Sequence, residues 1–313
     1  SKVFGEKIVE LAEKNEKIVA ITAAMCDGTG LKSFKEKFPN RFFDVGIAEQ
    51  HAIGCAAGMA KQGLIPVVSI YSSFYQRAYD QVIHDICLQN LPVIMCVDRA
   101  GVVGNDGATH HGCYDMSLYR SIPGAVIAAP KDELELKNMM YSAMLAQTGP
   151  YIIRYPRGTG EGVEWRNSEY ESMETGRGEL VLDGSRIAVF AAGPFVYRAV
   201  EASQRMNAEQ GWNPTIYNIR YIKPLDVNLV ADACSRHERL VTIEDGTLIG
   251  GLYGAVSEFV SAMDVPVPVK GVGIPDRYIS QGTQKELRAE CGLTADEIFN
   301  TFVVENEKIS KKD

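Results

Sequence analysis

No apolar run in this chain approaches the roughly 20 residues that cross a bilayer. The longest, such as 66–71 and 91–97, are strand-sized. Cysteine is sparse and patternless: seven among 313 residues, an odd number, with no C-x-x-C pair. That argues against a disulfide scaffold or a ribbon-type metal site, and the thiols are read as reduced and mostly buried. Basic charge is in deficit. With 32 Lys+Arg against 40 Asp+Glu the net charge is −8, so no cationic excess displaces phosphate counterions and no nucleic-acid binding is expected. An anionic small molecule would need a local cluster of arginines. The first residues enter an amphipathic pattern directly, without the charged head and apolar body of a secretion signal. A cytoplasmic location without membrane contact is therefore expected.

What is present is an ordinary globular composition, 46% hydrophobic and 23% charged, long enough for two domains with their own cores. Helical periodicity at the N-terminus gives way to a strand at 18–21. Strands at 42–45, 67–71, 93–97, 125–129 and 151–155 then alternate with helices at 48–62, 73–89 and 132–146. Short apolar strands alternating with helices imply α/β architecture, a mostly parallel sheet covered by helices, with ligands beyond the carboxyl ends of the strands. The periodicity lapses over 158–178, read as a linker between a domain at 1–157 and a second α/β domain at 179–313. In the second domain Asp183-Gly184 signals a hairpin between 180–182 and 187–190. Strands at 215–219, 240–243 and 267–272 follow, with helices at 196–210, 226–235, 253–262, 284–290 and 295–305. No solenoid repeat or low-complexity tract interrupts the pattern.

Chemistry concentrates in the first domain. Glu49 falls in the first turn of a helix directly after a strand, where it can complement the helix dipole or face a ligand. The small residues that follow it, Gly54, Ala56, Ala57 and Gly58 among them, let another backbone approach. Phe74 begins the next helix and on its own would pass for core. Arg77, Arg99 and Arg157 lie near the ends of three strands, and a planar fork that stays charged suits phosphate. His110 sits in a Gly-rich loop, 101–112, a ligand-contacting rather than a core setting. The adjacent His111 raises the question of a metal, but no carboxylate or Cys stands at helical ligand spacing around the pair, so no metal ligand is assigned. His51, His84 and His237 are read as structural.

Residues 43–52 read Phe-Asp-Val-Gly-Ile-Ala-Glu-Gln-His-Ala, which resembles the pyrimidine-binding domain of thiamine-diphosphate enzymes of the transketolase group. Residues 70–81, Ile-Tyr-Ser-Ser-Phe-Tyr-Gln-Arg-Ala-Tyr-Asp-Gln, and 98–110, Asp-Arg-Ala-Gly-Val-Val-Gly-Asn-Asp-Gly-Ala-Thr-His, are similar to the 1-deoxy-D-xylulose-5-phosphate synthases within that group. Arg154-Tyr155-Pro156-Arg157-Gly158 adds a further match. Lys223-Pro224-Leu225-Asp226, Glu244-Asp245-Gly246 and Gly273-Ile274-Pro275-Asp276 resemble the group's carboxy-terminal domain, so the likeness spans nearly the whole chain.

The resemblance implies a pyrimidine-binding domain followed by a transketolase C-terminal domain, with thiamine diphosphate and Mg²⁺ as cofactors. In that group the carboxylate matching Glu49 hydrogen-bonds the aminopyrimidine ring and drives its proton chemistry, and the aromatic matching Phe74 packs on that ring. His110 is implied as catalytic. Tyr71, Arg77, Arg99, Asp106, His110 and Arg157 are implied to position pyruvate and D-glyceraldehyde 3-phosphate, with Arg99 and Arg157 nearest the phosphate. The group's Gly-Asp-Gly motif and downstream Asn, which hold Mg²⁺ and the diphosphate, have no match here; Gly104-Asn105-Asp106-Gly107 belongs to the substrate loop. The chain therefore corresponds to the carboxy-terminal half of the resembled enzyme, needs an N-terminal diphosphate-binding domain or subunit as partner, and is expected to form a homodimer. Two alternatives stay open: a beta-type subunit of another thiamine-diphosphate enzyme, such as a 2-oxoacid dehydrogenase or split transketolase, and a non-catalytic dimerisation or ligand-binding module.

Overall fold

The computed structural model describes residues 1–146 and 148–311. Runs of β-branched and apolar residues build strands that are buried on both faces, β1 (Ile18–Thr22), β3 (Ile65–Tyr71) and β4 (Ile94–Ala100) in particular. With β2 (Phe42–Asp44), β5 (Val126–Ala128), β6 (Tyr151–Pro156) and β10 (Tyr221–Lys223) they form a seven-stranded sheet in the order β10-β5-β6-β4-β3-β1-β2. Every pairing is parallel except β10 with β5. A second sheet joins β7 (Glu179–Leu182), β8 (Ile187–Ala191), β9 (Thr215–Asn218), β11 (Arg239–Thr247) and β12 (Val269–Ile274), in the order β12-β11-β8-β9-β7. Helices cover both sheets. The Glu49–Lys61 helix turns Ala52, Ile53, Ala56, Ala57 and Ala60 inward, into a core that continues through Tyr119 and Ile222 to Phe190, Tyr217 and Val256 of the second unit. On the other face, the Lys2–Lys14 and Glu133–Ala146 helices bury Phe4, Ile8, Leu136 and Met140.

Three local readings change. The Asp183-Gly184 hairpin does not form: β8 is flanked by two parallel neighbours, β9 and β11, so β7 pairs antiparallel with β9 at the sheet edge instead. The single helix expected at 73–89 is broken into an α-turn (Ser72–Tyr75), a 3₁₀ turn (Gln76–Ala78), a short α-turn (Tyr79–Gln81) and a π-helix (Val82–Cys87). A segment this irregular re-aims side chains that a uniform helix would space evenly. Strand β10, which the periodicity missed, lends an edge strand from the second unit to the first sheet. The stretch at 158–178 has no helix or strand, yet it is strapped down: Trp165 is buried, Lys137 donates to Ser168 Oγ and Glu169 O at 2.8 Å, and the Tyr170 hydroxyl donates to Glu10 at 2.9 Å. Of the three histidines read as structural, His237 is buried and hydrogen-bonded through both ring nitrogens, whereas His51 and His84 are exposed. All seven cysteines are free thiols. No helix among the described residues is long and apolar enough to cross a membrane.

The two units are joined by a buried ion triad. Arg154 of β6 donates from Nε to Asp115 at 2.9 Å and from Nη1 to Asp245 of β11 at 2.6 Å. Burial alone would pull the guanidinium pKa down, but the two carboxylates more than offset it and raise it; burial pushes the Asp115 carboxyl up against the pull of Arg154. Removing the cation strands two buried carboxylates, so Arg154→Met is expected to cost about 3–5 kcal/mol of unfolding free energy. In the variant the folded state holds a proton on the buried Asp115 carboxyl that the unfolded state releases, so stability falls as pH rises above the ordinary carboxylate range. Urea denaturation at pH 5 and pH 8 checks this: the deficit is larger at pH 8, and an equal deficit at both counts against stranded charge.

Candidate active site

Asp44, the last residue of β2, accepts from the backbone N–H of Ala24 at 2.8 Å and of Gly46 at 3.1 Å. Gly46 sits at φ +71°, a left-handed turn that suits glycine. This turn delivers Glu49 as the first residue of its helix, at the carboxyl edge of the sheet. Glu49 is 2% exposed. Its Oε2 is buried and accepts no hydrogen bond, and the nearest cation, Arg77 Nη1, lies 3.6 Å away on a side chain that is 61% exposed. A helix-dipole role would not require burial. A buried carboxylate oxygen without a donor fits a ligand that brings one, such as a protonated ring nitrogen.

Beside it the end of β3 supplies an aromatic group. Tyr71 and Phe74 stack with centroids 5.8 Å apart, and Phe74 meets the His110 imidazole edge-on at 5.3 Å. The Arg99 guanidinium carbon lies 3.8 Å over the Tyr71 ring, within cation–π range. Burial pushes the Tyr71 phenol up, opposed by the charge of Arg99. The Tyr71 hydroxyl lies against Gly28, where any added Cβ would overlap it.

The third component is the loop after β4. Arg99 has φ +60° and Gly101 has φ +74°, reversing the chain, and Gly101 and Gly112 then exchange two backbone hydrogen bonds of 2.8 Å. The loop so closed projects Asp106 toward two cations: Asp106 Oδ2 accepts from Arg99 Nη1 at 3.2 Å and Arg157 Nη1 at 2.5 Å. The Thr109 hydroxyl lies 2.9 Å from His110 Nδ1. Thus Tyr71, Phe74, Arg99, Asp106, His110 and Arg157 are gathered into one cluster, while Arg77 is turned toward Glu49 rather than toward the other arginines.

Sequence reasoning missed several participants. His111 is buried: its Nδ1 accepts from the Val103 N–H at 3.1 Å, which leaves Nε2 as the protonated nitrogen donating to Ser280 O at 2.9 Å. Asp98 is buried beneath Arg99 with Oδ1 unpartnered, and burial pushes its carboxyl up. Asp98, Arg154 and Asp245 all lie inside motifs quoted for the resemblance, but nothing in their spacing marks them as buried. Glu244, by contrast, serves the fold. Its oxygens accept from the Leu252 and Tyr253 N–H groups at 2.7 Å, and burial pushes its carboxyl up to about 8. Among the described residues, no group of three or more His, Cys, Asp or Glu side chains is arranged to hold a metal ion.

Comparison with known proteins places this geometry. Residues 1–161 match the transketolase pyrimidine-binding domain and residues 176–298 the transketolase C-terminal domain. The 1-deoxy-D-xylulose-5-phosphate synthase of Dictyoglomus thermophilum is 47% identical over 303 residues, 97% of this chain and 48% of that protein. The synthase of Halothermothrix orenii is 50% identical over 289 residues, 92% of this chain and 45% of that protein. The chain spans about half the length of these curated relatives. A solved structure described as a split gene transketolase, inactive beta4 tetramer, is similar at a TM-score of 0.83 and 31% identity, covering 95% of this chain and 94% of that one. The transketolase of Campylobacter jejuni, at 16% identity and a TM-score of 0.79, covers 96% of this chain and 46% of that one and is alike in fold alone. With both domain matches in chain order on the two sheets, the chain belongs to the transketolase family, of which it carries the pyrimidine-binding and C-terminal domains.

Proposed function

We propose that this chain is the carboxy-terminal portion of a 1-deoxy-D-xylulose-5-phosphate synthase, which condenses pyruvate with D-glyceraldehyde 3-phosphate and releases CO₂. The supporting observation is the buried Glu49 Oε2, which accepts no hydrogen bond, at the same sheet edge as the Arg99–Asp106–Arg157 cluster. The 47–50% identity to named synthases agrees with it. Thiamine diphosphate, when bound, supplies the electron sink for decarboxylating a 2-oxoacid. Glu49 holds its pyrimidine ring by sharing a proton through Oε2, and Phe74 packs against that ring. Arg99 and Arg157 take the triose phosphate, a dianion with three acceptor oxygens that competes with the single Asp106 carboxylate for both guanidinium groups. Tyr71, Arg77, Asp106 and His110 orient the substrates, and His110 is the group assigned to move a proton.

The diphosphate and Mg²⁺ belong to a separate N-terminal domain or subunit, because Glu49 and Phe74 account for only the ring end of such a cofactor. A homodimer in the cytoplasm is the working form. Ile47, 77% exposed two residues before Glu49, and Leu88, at the end of the segment packed on the Glu49–Lys61 helix, are apolar groups that a second copy would cover. A second reading, the beta-type subunit of a split transketolase, is favoured by the solved relative of the same extent. Product analysis separates the two: CO₂ release from pyruvate marks the synthase, and ketol transfer from a sugar donor marks the transketolase.

Three outcomes are expected. The chain alone turns over no substrate and binds thiamine diphosphate weaker than micromolar, since the diphosphate end carries most of the anchoring; submicromolar binding by calorimetry counts against a missing cradle. In the assembled enzyme, Glu49→Ala slows hydrogen–deuterium exchange at cofactor C2 far more than it weakens cofactor binding. An unchanged exchange rate returns Glu49 to a helix-end role. Arg99→Ala and Arg157→Ala raise KM for D-glyceraldehyde 3-phosphate while sparing pyruvate. Loss of one charge-assisted contact costs about 1.5–3 kcal/mol, roughly ten- to a hundredfold. Equal losses with unphosphorylated glyceraldehyde would show that neither arginine reads the phosphate.

A further inference from the structure

The substrate loop does not hold its shape unaided. The Gln284–Glu290 helix of the second unit, started by a Thr283–Glu286 capping box, presents its first side chain to the first unit. Gln284 Nε2 donates to Val102 O at 3.1 Å and to Arg157 O at 3.0 Å. Both hydrogens of one amide are thereby spent on two main-chain carbonyls, one at the root of the Asp106 loop and one at the end of β6. Those are the two segments whose side chains, Asp106 and Arg157, meet. The same second-unit segment packs on the loop elsewhere. Ser280 O accepts from His111 Nε2 at 2.9 Å. A Cβ on Gly104 would lie 3.4 Å from Gln284 Cγ, and one on Gly107 would lie 3.3 Å from Gln281 Cβ. Both glycines have positive φ, +95° and +78°, so the loop takes this path against the second unit at glycine positions.

We propose that Gln284 is a positioning residue for the second substrate: it sets the spacing between Arg157 and the Asp106 loop, and through it the grip on the substrate's phosphate. It touches no reacting atom. The proposal rests on the reading of Arg99, Asp106 and Arg157 as the site of a phosphorylated aldehyde. It gives the C-terminal domain, which contributes no residue to that cluster, a part in selecting the acceptor over the 2-oxoacid donor.

The test uses the assembled enzyme with Gln284→Leu, which keeps the bulk and loses both donors, and Gln284→Lys, which restores donors to the same carbonyls. Gln284→Leu raises KM for D-glyceraldehyde 3-phosphate about tenfold, as expected for two neutral hydrogen bonds. It leaves KM for pyruvate and C2 deuterium exchange unchanged. Gln284→Lys recovers most of the loss. In the isolated chain, hydrogen exchange at the Gly101 and Gly112 amides is faster in Gln284→Leu than in the parent and slows again in Gln284→Lys. If Gln284→Leu leaves the triose KM unchanged while Arg157→Ala raises it, the positioning role is wrong and the phosphate site stands. If Arg157→Ala also has no effect, the phosphate reading fails and takes this proposal with it. An equal rise in KM for both substrates marks a general loosening of the fold and overturns the role as well. Should the leucine variant not fold, Gln284→Glu, which aims a carboxylate at two carbonyls, must show the triose-specific defect or the proposal falls.

Discussion

The buried Arg154 triad is the contact on which the rest of the architecture leans. One guanidinium ties β6 of the first sheet to β11 of the second through Asp245, and to the Asp115–Arg120 helix through Asp115. Such a group is expensive to bury, and in stability terms alone a well-packed apolar substitute would often do as well. What an apolar core does not supply is direction. The fork fixes Asp245 where its carboxylate packs against Gly101 and would overlap any added Cβ. Gly101 is the first residue of the loop carrying Asp106 and His110, so the orientation of the ion triad is passed directly to that loop.

Much of the fold was legible because parallel strands buried on both faces leave long apolar runs, and helices between them leave a 3.6-residue period. What escaped was decided by partners distant in sequence. Strand β10 is three residues long and acquires its sheet only by reaching across to β5, and the Asp-Gly turn at 183–184 failed as a hairpin because β9 and β11 occupy both edges of β8. The irregular segment at 72–87 contains no Gly or Pro to announce its π-turn.

For the site, the resemblance named the residues, and the structure adds how they relate. Arg99 and Arg157 share Asp106, yet Arg77, which the same reasoning grouped with them, faces Glu49. His111 had no role assigned from the sequence. Its burial and two hydrogen bonds make it part of the loop's frame, and a dipeptide of identical residues gives no sign of which one will turn inward. Gln284 was invisible for a similar reason: a glutamine at a helix start carries no chemical signature until its carbonyl partners are known.

Four unpartnered polar atoms gather at the carboxyl edge of the first sheet. Glu49 Oε2, Ser72 Oγ, Ser73 Oγ and Asp98 Oδ1 are all buried without a hydrogen-bond partner. They come from the carboxyl ends of β3 and β4 and the helix start that follows β2. Each such atom costs about 1–3 kcal/mol relative to a satisfied one. Other unsatisfied groups are dispersed through the two units, but here four of them sit at one sheet edge beside the Tyr71–Phe74–His110 aromatic cluster. A fold that only needed to be stable would have paired or removed them. Their concentration where a doubly covered parallel sheet opens to ligands fits a surface shaped to meet a bound molecule rather than one shaped for stability alone.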